Sequence, residues 1–335
     1  MSAAGALSLG KKVVRLAAHR ARGAPLPFSI TFILTHRCNF ACAYCDVPSA
    51  AGDEMTTDEY KLAIDELAEA GLARASFSGG EALLRRDAVE IIRHAKARGL
   101  VTSLNTNAWL AERHLADLAG QLDVLVVSLD GPEREHDLVR RQAGSYRRVV
   151  RVLHAARSTG IKTATITVLT PDNLHVIPDV LALSRELGSF AYFQPAYREC
   201  FDREAGLDPA LHASVLAGVA HTLRNAKRDG QPVGASPGFL ERLERAPQFG
   251  RCETCHAGRY FGTVMPDGTL VPCHLTSQAR IWPNGRTMGF AAAFRTLGRP
   301  PRGDGCAISP YQEADLVFGG DVRAVRDAFT RFFGR

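Results

Sequence analysis

The chain predicts an α/β fold: a parallel (βα)6 sheet curved into a partial barrel, followed by a smaller C-terminal α+β region. Three observations carry that expectation. An amphipathic helix, a glycine stop and an apolar strand recur at Ala70-Gly71-Leu72, Arg98-Gly99-Leu100, Ala119-Gly120-Gln121, Thr159-Gly160-Ile161 and Leu187-Gly188-Ser189. The strands are close to continuously apolar, as suits parallel strands covered on both faces. Beyond residue 230 the texture changes, with Pro232, Gly234, Pro237 and Gly238 at the boundary and four of the eight cysteines beyond it.

Taken in order, residues 1–27 form a basic arm. Lys11, Lys12, Arg15, Arg20 and Arg22, with no acid among them, supply five of the net six positive charges. The rest of the chain is nearly neutral, so the basic balance is no argument for a nucleic-acid partner. Val13, Val14, Leu16, Ala17 and Ala18 give the arm an apolar side. It can pack as a helix on the barrel or meet an acidic partner or membrane surface. It lacks the apolar core of a secretory signal.

The barrel is expected over 28–230, with strands at Phe28–Leu34, Ala73–Ser78, Leu100–Asn105, Asp123–Leu129, Lys162–Leu169 and Phe190–Pro195. A glycine just past each helix is the usual left-handed cap. Thr56-Thr57-Asp58-Glu59 reads as a capping box opening a helix with Tyr60, Ile64 and Leu67 on one stripe. Right-handed crossovers put the reactive loops at the C-terminal ends of the strands. The C-terminal unit is expected over 231–335. No run of 18 apolar residues occurs, so no transmembrane helix is expected. The cysteines fall into the groups 38/42/45 and 252/255/273 with singles at 200 and 306. That grouping suits metal-cluster ligands in a reducing cytoplasm better than a disulfide framework.

The chemistry begins just after the first strand. Cys38, Cys42 and Cys45, spaced C-x3-C-x2-C, can hold three corners of a [4Fe–4S] cube and leave the fourth iron open for reaction. A structural zinc knot, with His36 as a fourth ligand, is the competing reading. The spacing, Tyr44 before the last cysteine and the strand before the loop resemble the radical S-adenosylmethionine (radical SAM) superfamily. Ser78-Gly79-Gly80-Glu81 then resembles that family's motif for the methionine part of S-adenosylmethionine. Glycines let the backbone approach a ligand closely, and Glu81 would accept from the ligand's ammonium. Ala82 stands where the family usually has proline.

The same resemblance implies that Asn107 and Ser128, at the ends of the third and fourth strands, help hold the ribose or carboxylate. Tyr44 would touch the adenine, Asp130 would face substrate, and Gln194 would line the same cavity. Each of these short polar groups could instead make an Asx turn, a helix cap or core packing. Farther on, Cys252-x2-Cys255, a Pro266-Asp267-Gly268 turn between apolar runs and Cys273 resemble the opening of SPASM and twitch domains. These domains carry auxiliary Fe–S clusters. With only Cys306 downstream, the likeness is to the one-cluster form, ligated by Cys252, Cys255, Cys273 and Cys306. A zinc ribbon from the same residues is the alternative.

The resemblance implies a partial TIM-type barrel that reductively cleaves S-adenosylmethionine to a 5′-deoxyadenosyl radical, which takes hydrogen from substrate. An auxiliary [4Fe–4S] cluster would assist oxidation or bond formation. Substrates in such families are ribosomal peptides or small metabolites, including tetrapyrrole- or molybdopterin-like cofactor precursors, and a flavodoxin or ferredoxin donates the electron. The 27 residues before the first strand are too few for a peptide-recognition domain. A zinc-stabilised binding module without catalysis is the reading of another class.

Overall fold

The computed structural model describes residues 12, 14–45, 47–50, 52–196, 213–245, 255–273, 281–299 and 308–333. Its strands are β1 (Ser29–Ile33), β2 (Arg74–Ser78), β3 (Val101–Thr106), β4 (Val124–Ser128), β5 (Lys162–Leu169), β6 (Phe190–Pro195), β7 (Phe261–Val264) and β8 (Leu270–Val271). Between them run helices α1 (14–21), α2 (Thr57–Ala70), α3 (Ala88–Ala97), α4 (Leu115–Leu118), α5 (Glu133–Arg140), α6 (Ser145–Ser158) and α7 (Ile177–Glu186). Helices α8 (Ala213–Arg228), α9 (Pro237–Glu244), α10 (Gly285–Met288), α11 (Phe290–Thr296), α12 (Ser309–Gly319) and α13 (Val322–Phe333) complete the chain.

All eight strands form one sheet in the order β6-β5-β4-β3-β2-β1-β7-β8. The six expected strands are present and pair in parallel, in sequence order. The addition is β7. It pairs in parallel with the free edge of β1, Ser29 opposite Phe261, and β8 returns antiparallel to it. The C-terminal hairpin therefore continues the barrel sheet.

Strand composition divides the two faces. Along β1, Ile30 and Phe32 are buried in the same core as Tyr60, Ile64 and Leu67 of α2, while Ser29, Thr31 and Ile33 remain half-buried. Successive side chains point to opposite faces, so the half-buried set lines the inner face. Arg74 confirms the register, because its guanidinium reaches Ser29 Oγ at 3.4 Å and Ser103 Oγ at 2.9 Å on the flanking strands. The strands are thus less uniformly apolar than expected, and hydroxyls line the inner face of β1 to β3.

The five predicted glycine stops, Gly71, Gly99, Gly120, Gly160 and Gly188, all have positive φ. The capping box is formed, with Thr56 Oγ1 accepting from Glu59 N and Glu59 Oε2 accepting from Thr56 N. Helix α2 then presents Tyr60, Ala63, Ile64 and Leu67 to the core. The Tyr60 hydroxyl lies 2.9 Å from the Ile33 carbonyl and 3.1 Å from that of Leu34, where β1 gives way to the cysteine loop.

The described part of the arm packs on the barrel. Lys12 Nζ donates to the carbonyl of Gly99, Arg15 Nη1 to Glu69 and Arg20 Nη2 to Gly319, each at the C-terminal end of a helix. Cations are favoured there, where unpaired carbonyls and the helix dipole gather negative charge. Leu26, fully buried, joins Tyr260, Phe261 and Phe318 in a second small core.

Tyr60→Phe keeps the ring and removes the donor over the end of β1. The expected loss is about 1–3 kcal/mol of unfolding free energy, read as a lower denaturant midpoint of the far-UV signal. An unchanged midpoint would mean that solvent replaces the hydroxyl.

Candidate active site

The cysteine loop leaves β1 at the C-terminal edge of the sheet and is held down on the end of β2. Leu34 N donates to Ser78 O at 2.8 Å, Gly80 N to Thr35 O at 2.8 Å and Glu81 N to Arg37 O at 2.9 Å. The approach leaves no room for side chains. A Cβ on Gly79 would stand 2.5 Å from Thr35 O, and one on Gly80 would stand 2.4 Å from Arg37 O and 2.5 Å from His36 O. The glycines serve close approach, as expected, but the backbone they approach is that of the cysteine loop. On the outer side, Thr35 Oγ1 donates to Glu54, which Arg37 and Arg85 also engage.

Cys38 Sγ accepts from Phe40 N at 3.4 Å and lies 4.0 Å from Asn107 Nδ2, while Cys42 Sγ lies 3.7 Å from Arg140 Nη1. Burial pushes the Cys38 thiol up to about 11. It raises that of Cys42 as well, with the Arg140 charge opposing. Thiols in such surroundings become thiolates when a cationic metal takes the place of the proton. Three thiols on one short loop, with half-buried sulfurs, fit a metal cluster as a donor set. Among the described residues, no three His, Cys, Asp or Glu side chains are placed to hold a single metal ion.

Glu81 is 1% exposed, and its carboxylate turns inward. It accepts from Thr106 Oγ1 at 3.0 Å, Asn107 N at 2.8 Å and Leu83 N at 3.1 Å. Burial raises its pKa against the pull of these donors. The expectation that it accepts from a bound ammonium gives way to a bracing role, in which it ties the end of β2 to the end of β3. Asn107 continues the brace, donating from Nδ2 to Asn39 Oδ1 at 2.9 Å and accepting from Trp109 N at 3.0 Å. Ser128 closes β4 on the half-buried inner face.

Asp130 is likewise engaged within the protein. It is fully buried, with Oδ2 accepting from Arg140 Nε at 2.6 Å and from the Tyr44 hydroxyl at 3.2 Å, and Oδ1 accepting from Val168 N at 2.9 Å. Both oxygens are engaged, so Asp130 positions Arg140 and Tyr44 where the sequence suggested a group facing substrate. Its backbone N donates to His136 Nδ1 at 3.0 Å, which leaves His136 Nε2 to donate to Ser145 Oγ at 3.0 Å. Burial and the nearby Arg140 pull the imidazole down to about 4. Gln194 departs from expectation in the same way. Its Nε2 donates to Pro195 O at 2.7 Å and its Oε1 accepts from Ser309 N at 2.6 Å, joining β6 to the start of α12.

His136 and Arg140 were missed by sequence reasoning. Both are buried on α5, one turn apart on one face. Two polar residues at that spacing, directly after Asp130-Gly131, were the available signal.

Of the second cysteine group, Cys255 and Cys273 are described; Cys252, Cys306 and the single Cys200 lie outside the described residues. The Pro266-Asp267-Gly268 turn forms, with Gly268 at φ 86° and Thr269 N donating to Asp267 Oδ1 at 2.9 Å. Cys273 is buried just past β8, and Cys255 Sγ accepts from Ala257 N at 3.5 Å. Because β8 runs antiparallel to β7, which is parallel to β1, the chain leaves β8 for Cys273 in the direction of the N-terminal end of β1. It thus lies at the opposite edge of the sheet from Cys38.

A sequence profile described as the Radical SAM superfamily matches residues 32–183. The PqqA peptide cyclase of Rhodopseudomonas palustris is 31% identical over 325 residues, covering 88% of this chain and 82% of that protein. The PqqA peptide cyclase of Bradyrhizobium diazoefficiens is 34% identical over 266 residues, covering 74% and 67%. Among solved structures, Streptococcus suis SuiB bound to S-adenosylmethionine superposes with a TM-score of 0.69 at 13% identity, over 85% of this chain and 69% of that one. The anSMEcpe structure with bound AdoMet and the Kp18Cys peptide gives 0.65 at 18% identity, over 81% of each chain. At such identities the structural likeness speaks for the fold.

Gly80→Ala should push the cysteine loop off the end of β2, since the new Cβ would meet two backbone carbonyls. The variant is expected to take up much less iron than the wild type on reconstitution, with the far-UV circular dichroism unchanged. Full iron retention would mean that the loop can move aside.

Proposed function

The chain belongs to the radical SAM superfamily, and from that premise we propose that it modifies a ribosomally made peptide by joining two of its side chains. The observation that carries this reading is the reach of the likeness to peptide cyclases. It covers 88% of the chain, whereas the superfamily profile ends at residue 183. The likeness therefore extends beyond the shared barrel motifs into the region that carries Cys255 and Cys273.

Cys38, Cys42 and Cys45 would hold the [4Fe–4S] cluster. The loop backbone at Gly79 and Gly80, with Asn107, Ser128 and Tyr44, would border S-adenosylmethionine. When bound, cluster and S-adenosylmethionine together supply a reductive cleavage that yields a hydrogen-abstracting radical. A flavodoxin or ferredoxin is the proposed electron donor. The residues of this chain supply placement. Thr31, Ser78 and Asn105 make a polar side of the inner face, and Val126, Ile166 and Val168 an apolar side. Such a surface can seat an extended side chain and keep water from the reacting carbon.

Joining two carbons of a peptide removes two hydrogens. One leaves as the abstracted atom and the other as a proton and an electron, so the site needs a one-electron acceptor. Cys252, Cys255, Cys273 and Cys306 would hold an auxiliary cluster able to supply it. Among the described residues no helix is long and apolar enough to cross a membrane.

Anaerobically reconstituted protein should hold about eight irons, from two cubes of four. With S-adenosylmethionine, a reductant and a candidate precursor peptide, it should release 5′-deoxyadenosine and a product two hydrogens lighter by mass spectrometry. The Cys38→Ala/Cys42→Ala/Cys45→Ala variant should retain about half the iron and lose both products to background. Undiminished 5′-deoxyadenosine from that variant overturns the triad assignment. An unmodified peptide with active cleavage points instead to a small-molecule substrate.

A further inference from the structure

A buried guanidinium lies against the cysteine loop. Arg140, the last residue of α5, is 6% exposed. Its Nη1 is 3.7 Å from Cys42 Sγ, and its guanidinium carbon sits 5.4 Å from the centre of the Tyr44 ring. The opposite side of the same guanidinium is held by Asp130, through Nε to Oδ2 at 2.6 Å. Asp130 is fixed in turn by Val168 N, the Tyr44 hydroxyl and the His136 anchor of its own backbone. The side chain thus reaches one sulfur through Nη1 and is fastened through Nε by a carboxylate.

Resting on the reading of Cys38, Cys42 and Cys45 as cluster ligands, we propose that Arg140 is a positioning residue that donates an N–H to the Cys42 sulfur. It thereby raises the reduction potential of the cluster held there, and Asp130 moderates its charge. An N–H···S hydrogen bond and a nearby positive charge draw density from a thiolate and favour the more negative, reduced cluster. Burial strengthens the effect, because little water screens the charge. The carboxylate partly cancels it. Removal of Arg140 and removal of the Asp130 charge should therefore move the potential in opposite directions, whereas mere loosening of the loop would not.

The test uses the full-length reconstituted protein. The triad signal is the EPR signal of the reduced wild type that is missing from the Cys38→Ala/Cys42→Ala/Cys45→Ala variant. Followed by EPR-monitored potentiometry, Arg140→Gln should shift its midpoint to a more negative potential. Arg140→Lys should stay near the wild type, and Asp130→Asn should shift it positive. Shifts of one sign in Arg140→Gln and Asp130→Asn, or no shift in either, overturn the proposal. If Arg140→Gln takes up no cluster, iron content decides. Retention in Arg140→Lys supports a need for the charge, while equal loss in both reduces Arg140 to packing and the proposal fails. Absence of any triad signal in the wild type removes the cluster reading itself, and the proposal with it.

Discussion

Everything at the reactive edge of the sheet depends on how closely the backbone after β1 lies on the backbone after β2. Three hydrogen bonds, from Leu34, Gly80 and Glu81, close that contact, and a Cβ at Gly79 or Gly80 would place an atom within 2.5 Å of a carbonyl oxygen. Here the junction converts two separate βα turns into one surface, from which the three cysteines project. Glu81 extends it to β3, and Asp130 with Tyr44 extends it to β4 and β5. The cysteine loop is therefore braced across five strands by side chains buried at their ends.

Those braces are costly kinds of group to bury. A carboxylate out of water is tolerated when hydrogen bonds replace its hydration. Glu81 and Asp130 solve that problem differently. Glu81 is met by a hydroxyl and by backbone N–H groups, neutral donors that leave its pKa raised by burial. Asp130 is met by the Arg140 guanidinium, so a buried pair forms. The first brings a raised-pKa acid close to Cys38. The second brings a cation to Cys42, so the two sulfurs sit in unlike fields although they are four residues apart in one loop.

Much of this was legible in the sequence, because much of it is local. Strand positions, the glycine caps and the α2 capping box follow from periodicity and from residues with special backbone preferences. The cysteine spacing carries its own chemistry. What could not be read was direction. Ser78-Gly79-Gly80-Glu81 signals close approach of the backbone without saying to what, and the answer lies more than 40 residues away at Thr35 to Arg37. Asp130 and Gln194 sit at strand ends, where either an open cavity or a neighbouring backbone can take a polar group. The structure gives both to partners inside the protein. Nor does any local pattern foretell that β7, some 230 residues after β1, completes the other edge of that strand.

That last pairing has a consequence for function. β1 is the strand common to the first cysteine group and to Cys273, because β2 braces the loop at its C-terminal end while β7 and β8 lead the chain to Cys273 toward its N-terminal end. At 3.3 Å per residue, the five residues of β1 span about 16 Å. Metal groups at the two ends would not touch one another, nor would one substrate atom touch both. The inner face between them, with Thr31, Ser76 and Ser103 along it and Arg74 near the lower end, is the ground that a substrate would span. On such a frame a cluster at the upper end would begin the proposed reaction at one carbon, and one at the lower end would serve as a remote electron acceptor more readily than as a second ligand to the same atom. The length of one interior strand would set that division.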